Sequence, residues 1–230
     1  MESFELCRVN DGGETDALIL PGWATDFRVF RPVSADYNLV STRSFLPDHY
    51  VDEVAEYLQQ ECTSPVPLIG WSLGAYAATA LARRFPDRVS TLILVGARDS
   101  YPDGEIQAVQ DALEADREGC LRRFYRECFL PTQKDDYKRF RSDLMDTYLD
   151  EMRTGLLIEG LQYLGARSLV IEKLPDCDII FVHGEQDVVA PVDSAMRLAE
   201  SNQRARMEVL PETGHAAFLS PDFQTVLSDD

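Results

Sequence analysis

A serine flanked by glycines, between an apolar strand and a small-residue helix, limits the folds that this sequence can adopt. Residues 66–69 form a short apolar run, Gly-Trp-Ser-Leu-Gly follows at 70–74, and the alanine-rich segment 73–85 reads as a helix. A residue at so sharp a turn has a strained backbone, and side chains on the flanking residues would clash. The pattern therefore predicts that the turn lifts the Ser72 hydroxyl above a sheet.

Strands and helices alternate along most of the remaining chain. Strands are predicted at 17–20, 37–42, 66–69, 91–95, 179–182 and 207–210. Helices are predicted at 51–60, 73–85, 192–199 and 223–227. Apolar runs rich in β-branched residues and separated by helices are typical of a parallel sheet covered on both faces. The sequence therefore predicts an α/β fold.

The alternation stops between residues 103 and 166, where helical patterns occur without a convincing strand. Three apolar stripes follow helical spacing. Their members are Leu121, Phe124, Tyr125, Cys128 and Phe129; Tyr137, Phe140, Leu144, Met145 and Tyr148; and Leu156, Leu157, Leu161 and Leu164. We expect a helical cap of three or four helices at 103–166, inserted into a core made of residues 1–102 and 167–230.

A serine hydroxyl needs a general base to become a nucleophile at neutral pH, and histidine is the usual one. His215 lies beside a glycine, just after the last predicted strand, and is the favoured base. His183 ends a strand, where a histidine usually packs or bonds the backbone. His49 lies in a loop without a companion signal, so it is a remote substitute.

The base needs a carboxylate to hold its tautomer. Asp187 follows a strand and precedes His215 by 28 residues, which leaves room for one helix and one strand. The chain order serine, aspartate, histidine is the order found in α/β-hydrolases. Asp99, after the strand at 91–95, is the rival acid, and Glu185 is a minor alternative.

Two backbone N–H groups are expected to bind the oxyanion of the reaction. One belongs to Leu73, directly after the nucleophile. The other is expected from the loop after the first strand, most simply from Trp23, because Gly22 lets that backbone approach the substrate. Trp71, in the second Gly-Trp pair, completes the expected substrate-binding residues.

These motifs resemble the α/β-hydrolase superfamily over nearly the whole chain. Within it, the paired Gly-Trp motifs and Gly-Trp-Ser-Leu-Gly resemble the pimeloyl-acyl-carrier-protein methyl ester esterases of biotin synthesis. The resemblance implies an α/β-hydrolase fold, a serine carboxylesterase activity, and a cap that engages a carrier protein. It also implies that Ser72, Asp187 and His215 are catalytic.

The sequence departs from that family at three places. Pro21 stands where a histidine is usual, residues 43–47 replace the usual D-x-P-G-x-G-x-S run, and Ala75 replaces a common second glycine. Three alternatives therefore stay open. They are a triad-dependent lyase of the menaquinone-synthesis type, another small-molecule ester or thioester hydrolase, and a catalytically silent binding protein.

The predicted cap carries a basic island. Between Arg117 and Arg141 eight basic and four acidic residues leave a local charge of +4, in a chain of net charge -18. Such an island suits an acidic carrier protein, although pairs spaced i,i+4 on a solvated helix would give the same composition. The proposed docking residues are Arg122, Arg123, Arg126, Lys138 and Arg139.

Charge and cysteine content exclude several function classes. The net charge of -18 disfavours nucleic acid and anionic membrane as partners, and no apolar run approaches the ~20 residues of a membrane span. The five cysteines are scattered, which indicates reduced thiols in a cytoplasmic protein and no zinc site. No metal or other cofactor is predicted. A monomer is compatible with the sequence, which leaves the oligomeric state open.

Overall fold

A seven-stranded sheet forms the centre of the described chain in the computed structural model, which describes residues 6–171, 174 and 177–228. Its strands are β1 (Cys7–Arg8), β2 (Asp16–Leu20), β3 (Asn38–Ser41), β4 (Val66–Trp71), β5 (Val89–Val95), β6 (Asp178–Gly184) and β7 (Ala205–Leu210). The strand order is β1-β3-β2-β4-β5-β6-β7. Every pairing is parallel except that of β1 with β3.

The middle strands are covered on both faces. Every residue of β4 is buried, and so is every residue of β5 except Ser90. Successive side chains of a strand point to opposite faces of the sheet, so continuous burial requires a layer on each side. The prediction of a mainly parallel, doubly covered sheet is confirmed.

The helices follow the predicted alternation, with shifted ends. They are α1 (Pro47–Gln60), α2 (Leu73–Arg84), α3 (Asp103–Ala115), α4 (Arg117–Glu127), α5 (Lys134–Phe140), α6 (Asp146–Glu151), α7 (Thr154–Gly165), α8 (Val192–Glu200) and α9 (Pro221–Ser228). Helix α1 begins four residues before its predicted start. Pro47 and Asp48 extend the helix, because proline is favoured at the first helical position and an acid in the first turn. The predicted start rested on apolar spacing alone, which does not include these two residues.

Helices α3 to α7 lie between β5 and β6 in the chain, as the three stripes indicated. Helices α5 and α6 are joined without a break by a π-helical turn, Arg141–Met145. The stripes supply buried side chains, namely Leu121, Tyr125, Cys128, Phe140, Leu144, Met145, Tyr148, Leu157, Leu161 and Leu164. The division into a core and a cap at 103–166 stays a proposal, and residues 1–5, 172–173, 175–176 and 229–230 of the predicted core lie outside the described residues.

Two further observations concern composition. All five cysteines are buried and none is joined in a disulfide. Among the helices of the described residues, none is both long enough and apolar enough to cross a membrane.

Candidate active site

The carboxyl ends of the parallel strands bring the chemically important residues to one edge of the sheet. Trp23 lies in the turn after β2, and Ser72 directly follows β4. Asp187 and His215 lie in the loops after β6 and β7. Ligands of open α/β sheets bind in the crevice outside the carboxyl ends of the strands.

Ser72 has the strained backbone that the turn predicts. Its φ of 53° and ψ of -113° are rare for a residue with a side chain. Its N–H donates to the Val95 carbonyl at 2.8 Å, which ties the turn to β5. A Cβ at Gly70 would lie 2.5 Å from the Gly74 oxygen, and one at Gly74 would lie 2.4 Å from the Leu20 oxygen. Both flanking positions therefore require glycine.

Asp187 and His215 form a buried hydrogen-bonded pair. His215 Nδ1 lies 2.8 Å from Asp187 Oδ2, and neither side chain is exposed to solvent. The other carboxylate oxygen accepts from the backbone N–H groups of Val189 and Ala190, both at 2.9 Å. Such a pair fixes the imidazole with its hydrogen on Nδ1 and leaves Nε2 as the acceptor.

The Asp187 carboxyl is held in its ionised form. Burial alone would raise its pKa, but the adjacent His215 and His183 rings outweigh burial and lower the pKa well below its usual value. The group therefore carries its negative charge throughout the neutral pH range. An ionised, oriented carboxylate is what stabilises an imidazolium formed on His215.

The described structure does not join Ser72 to His215. His215 Nε2 is buried and has no hydrogen-bond partner among the described residues. The Ser72 side chain instead lies near Tyr101, a residue that the sequence patterns did not single out, and both line the same cavity. Hydrogen bonds between catalytic groups are often long or poorly aligned before substrate binds.

Tyr101 is a protonated phenol beside the serine. Burial raises the pKa of Tyr101 to about 12, against the opposing effects of Arg98 and of the Ser72 hydroxyl. The Arg98 guanidinium lies 4.5 Å from the ring centroid and pairs with Glu105 at 2.9 Å. Nothing in the strand and helix periodicity marks this loop residue, because its neighbours come from distant parts of the chain.

The rival acids and bases lie in other networks. Asp99 accepts from the Ser194 hydroxyl and from the Ser100 N–H, both at 2.8 Å. His49 lies 3.5 Å from Glu159, with its side chain 35% exposed. Glu185 is exposed to solvent. Their described partners therefore differ from that of His215, which bonds to Asp187.

The loop after β2 carries the predicted oxyanion residues. The Trp23 indole N–H donates to the Leu157 carbonyl at 2.9 Å, and its ring packs edge-on against Phe124 at 4.8 Å. These contacts with the insertion fix the loop that begins at Gly22. The backbone N–H of Leu73 is at the first position of α2, where a helix leaves its N–H groups without internal acceptors. Both amides thus remain the proposed oxyanion donors.

Trp71 takes a position different from the expected substrate-binding one. It is 2% exposed, and its indole N–H donates to the His215 carbonyl at 3.0 Å. Its ring packs against Phe218 at 4.7 Å. Trp71 does not line the cavity described next, and its contacts support the histidine loop.

A cavity of about 230 Å³ opens beside Ser72. Its lining is mainly apolar, with Arg123, Glu105 and Glu127 as the charged exceptions. The residues are Trp23, Ser72, Tyr101, Glu105, Ile106, Val109, Cys120, Arg123, Phe124, Glu127, Leu161, Leu164, Val188 and Val189. An apolar cavity with a few polar groups is typical of a binding site for a small molecule. Arg123, predicted as a docking residue, belongs to this lining.

The other four predicted docking residues, Arg122, Arg126, Lys138 and Arg139, are exposed on the insertion. Arg122 pairs with Glu118 at 2.7 Å and Arg139 with Asp136 at 3.2 Å, which are the local pairs that the alternative interpretation required. Arg126 is exposed in the last turn of α4. A separate groove of about 470 Å³ is lined by Arg122, Lys134, Tyr137, Lys138, Arg141, Ser142, Met145 and Asp146. Four of its eight residues are basic and one is acidic.

The insertion also contacts the histidine loop through Gln133, which sequence reasoning missed. The Gln133 carbonyl oxygen accepts from the Gly214 N–H at 2.9 Å, and its amide donates to the Ala216 carbonyl at 3.5 Å. The Ala216 N–H donates to the Cys128 carbonyl at 2.9 Å. These bonds bracket His215 on both sides. A glutamine in a short loop carries no pattern that would have predicted this contact.

We expect Gln133→Met to lower the free energy of unfolding by about 1–3 kcal/mol, because it leaves the buried Gly214 N–H without an acceptor. Urea titration followed by circular dichroism measures the change. Gln107→Met is the matched control, since Gln107 is exposed and bonds only to Asp111. Equal effects of the two substitutions would contradict the expectation.

A model of the alpha/beta hydrolase family matches residues 17–225. The chain belongs to this family. This hydrolase is 28% identical to the pimeloyl-[acyl-carrier protein] methyl ester esterase of Chromobacterium violaceum, over 95% of the chain and 94% of the relative. It is 27% identical to the esterase of the same name from Nitrosomonas europaea, over 91% and 92%.

The structural comparison agrees with the family. An esterase from Exiguobacterium antarcticum superimposes with a TM-score of 0.79 at 21% identity, covering 95% of this hydrolase and 92% of that chain. A likeness at this level of identity establishes the fold. The predictions of an α/β-hydrolase fold, of a hydrolase, and of a resemblance to the pimeloyl esterases are confirmed.

Proposed function

We propose that this hydrolase is a serine carboxylesterase whose substrate is the pimeloyl-acyl-carrier-protein methyl ester of biotin synthesis. Ser72 is the nucleophile, His215 the general base, and Asp187 the residue that orients the base. The observation that supports this most is the buried Asp187–His215 pair at the same sheet edge as Ser72, beside an apolar cavity. The names of the curated relatives supply the substrate.

The geometry suggests the following course of reaction. When an ester enters the cavity, the Ser72 hydroxyl donates to His215 Nε2, which takes its proton as the serine oxygen attacks the carbonyl carbon. The Trp23 and Leu73 amides stabilise the oxyanion, a contribution typically of about 3–4 kcal/mol for each donor. The imidazolium then protonates the departing methoxide, and methanol leaves an acyl group on Ser72.

Hydrolysis of this acyl-enzyme repeats the same steps with water. His215 takes a proton from water, the hydroxide attacks the acyl carbon, and Ser72 recovers its proton from the imidazolium as the acid leaves. Asp187 keeps its negative charge throughout because its pKa is lowered. The five buried thiols fit a reducing compartment, so a cytoplasmic location belongs to the proposal.

A panel of monomethyl dicarboxylic esters of several chain lengths, free and carrier-bound, tests the substrate. We expect release of methanol, with the highest kcat/KM for the carrier-bound pimeloyl ester, and acylation of Ser72 visible by mass spectrometry. Cleavage of carrier thioesters in preference to methyl esters would instead make the protein a thioesterase. Turnover by elimination without an acyl-enzyme would make it a lyase.

Carrier binding is proposed for the basic surface of the insertion, at Arg122, Arg126, Lys138 and Arg139, with Arg123 at the cavity. The groove lined by Arg122 and Lys138 adjoins helices whose apolar stripes are buried, so its cations face solvent. The rest of the chain is strongly acidic, because the net charge of -18 includes this island. An acidic carrier protein would therefore be attracted here and repelled elsewhere.

Charge reversal at Arg122, Arg126 and Arg139 should lower kcat/KM for a carrier-bound ester about tenfold at low ionic strength, and less at high salt. The exposed local pairs of Arg122 and Arg139 contribute little to stability, so the fold should persist. A small free methyl ester should be hydrolysed at the wild-type rate. Steady-state kinetics on both substrates at two salt concentrations measures the difference.

A charge-matched control reverses Arg84, Arg197 and Arg206, which are exposed outside the insertion. It should leave both substrates unaffected. Equal losses for carrier-bound and free esters would mean that the arginines of the insertion are structural. Equal losses in the test and control proteins would mean that total charge, not the basic surface, governs the encounter.

A further inference from the structure

His183 shares the Asp187 carboxylate with His215. It belongs to β6, and its side chain is completely buried. Its Nε2 lies 2.6 Å from the Ala190 carbonyl oxygen and 3.3 Å from Asp187 Oδ2, the oxygen that also faces His215. The sequence predicted packing or a backbone bond for this histidine, and the bond to Ala190 agrees with that, but the contact with Asp187 was not predicted.

The surroundings of the ring define what His183 can do. A backbone carbonyl is an acceptor, so Nε2 must carry the hydrogen that points to Ala190. His183 Nδ1 is buried without a hydrogen-bond partner among the described residues. The ring therefore acts as a donor through Nε2, and no described contact provides a path for a proton through the ring.

The Asp187 carboxylate accepts from three donors, and the His183 ring lies beside it. Two backbone N–H groups hold Oδ1, and the two histidine rings approach Oδ2. The backbone donors belong to Val189 and Ala190, and the carbonyl of Ala190 accepts from His183. His183 thus ties together both ends of the turn that carries Asp187.

We propose that His183 is a positioning residue that orients the Asp187 carboxylate toward His215. It acts through Asp187 and touches neither the substrate nor Ser72. The proposal rests on the proposed roles of Asp187 and His215. Without the His183 donor, the Ala190 carbonyl loses its partner, so the turn whose N–H groups hold Oδ1 loosens and Oδ2 gains freedom to move away from His215 Nδ1. The imidazole then spends less time in the tautomer that can accept the serine proton.

Two substitutions separate this role from simple packing. His183→Gln keeps an N–H donor at about the distance of Nε2, whereas His183→Met fills similar volume without a donor. We expect His183→Met to lower kcat about 10- to 30-fold with KM changed less than twofold, the size expected when one buried acceptor loses its donor. His183→Gln should stay within about threefold of wild type.

The readouts are steady-state kinetics on a free methyl ester and the downfield proton resonance of His215 Nδ1–H by NMR. That resonance should shift or broaden in His183→Met and persist in His183→Gln. His49→Gln, at a surface histidine, is the control and should match wild type in both readouts. Circular dichroism and urea midpoints establish that each variant is folded.

Wild-type kcat in a folded His183→Met protein would overturn the proposal. So would equal losses in the Met and Gln variants, because a packing role does not depend on a donor. If His183→Met does not fold, a lower kcat in His183→Gln with an unchanged NMR resonance would also overturn it. Labelling with a fluorophosphonate distinguishes this failure from a failure of the proposed function. If the wild-type protein were labelled at a residue other than Ser72, Ser72 would not be the nucleophile and the proposed function itself would fail.

Discussion

Ser72→Ala should lower ester turnover by about 10⁶-fold while the protein remains folded, because it removes the proposed nucleophile from the cavity. Alanine and serine tolerate the φ of 53° equally poorly, so the strain at the turn is unchanged by the substitution. Single-turnover kinetics with an activated ester measures the loss. The same protein should also lose labelling by a fluorophosphonate.

The control for this substitution is Ser142→Ala, at an exposed serine of the insertion that bonds to Arg139 and Asp143. It should retain full activity and full labelling. A Ser72→Ala protein with more than a tenth of wild-type turnover would remove Ser72 from the mechanism.

Asp187→Asn should lower kcat by about 10⁴-fold. An amide in this position presents its NH₂ group to His215 Nδ1, because its oxygen is taken by the N–H groups of Val189 and Ala190. The imidazole must then carry its hydrogen on Nε2, where it cannot accept the proton of Ser72. The rate measured at neutral pH reports this loss directly, since the pKa of Asp187 is lowered and the wild-type carboxyl is ionised there.

Asp99→Asn is the matched comparison, and its effect should be near zero. The Asp99 side chain bonds to Ser194 and Ser100, and an asparagine oxygen can accept from the same donors. If the two effects were reversed, the acid of the site would follow β5. If both substitutions lowered kcat equally, neither aspartate would have the orienting role proposed for Asp187.

The sheet, the serine turn and the helical segment 103–166 could be predicted from local sequence patterns, because each depends on the spacing of residues within one segment. Continuous apolar runs marked strands buried on both faces, as in β4 and β5. Short or exposed elements left weaker signals. Strand β1 has two residues and was not predicted, and the edge strand β7 begins two residues before its apolar run because its first residues are partly exposed.

The sequence by itself determined the fold class, because the fold class follows from the periodicity of apolar residues. It also named Ser72, Asp187 and His215, because these residue types occur in a fixed chain order. Only the tertiary structure decided their surroundings. Tyr101 near Ser72, Gln133 on the loop of His215 and the position of Trp71 join residues far apart in the chain. His183 meets Asp187 because the turn after β6 folds back on the strand. Such contacts depend on how separate elements pack, and no local spacing encodes the distance between them.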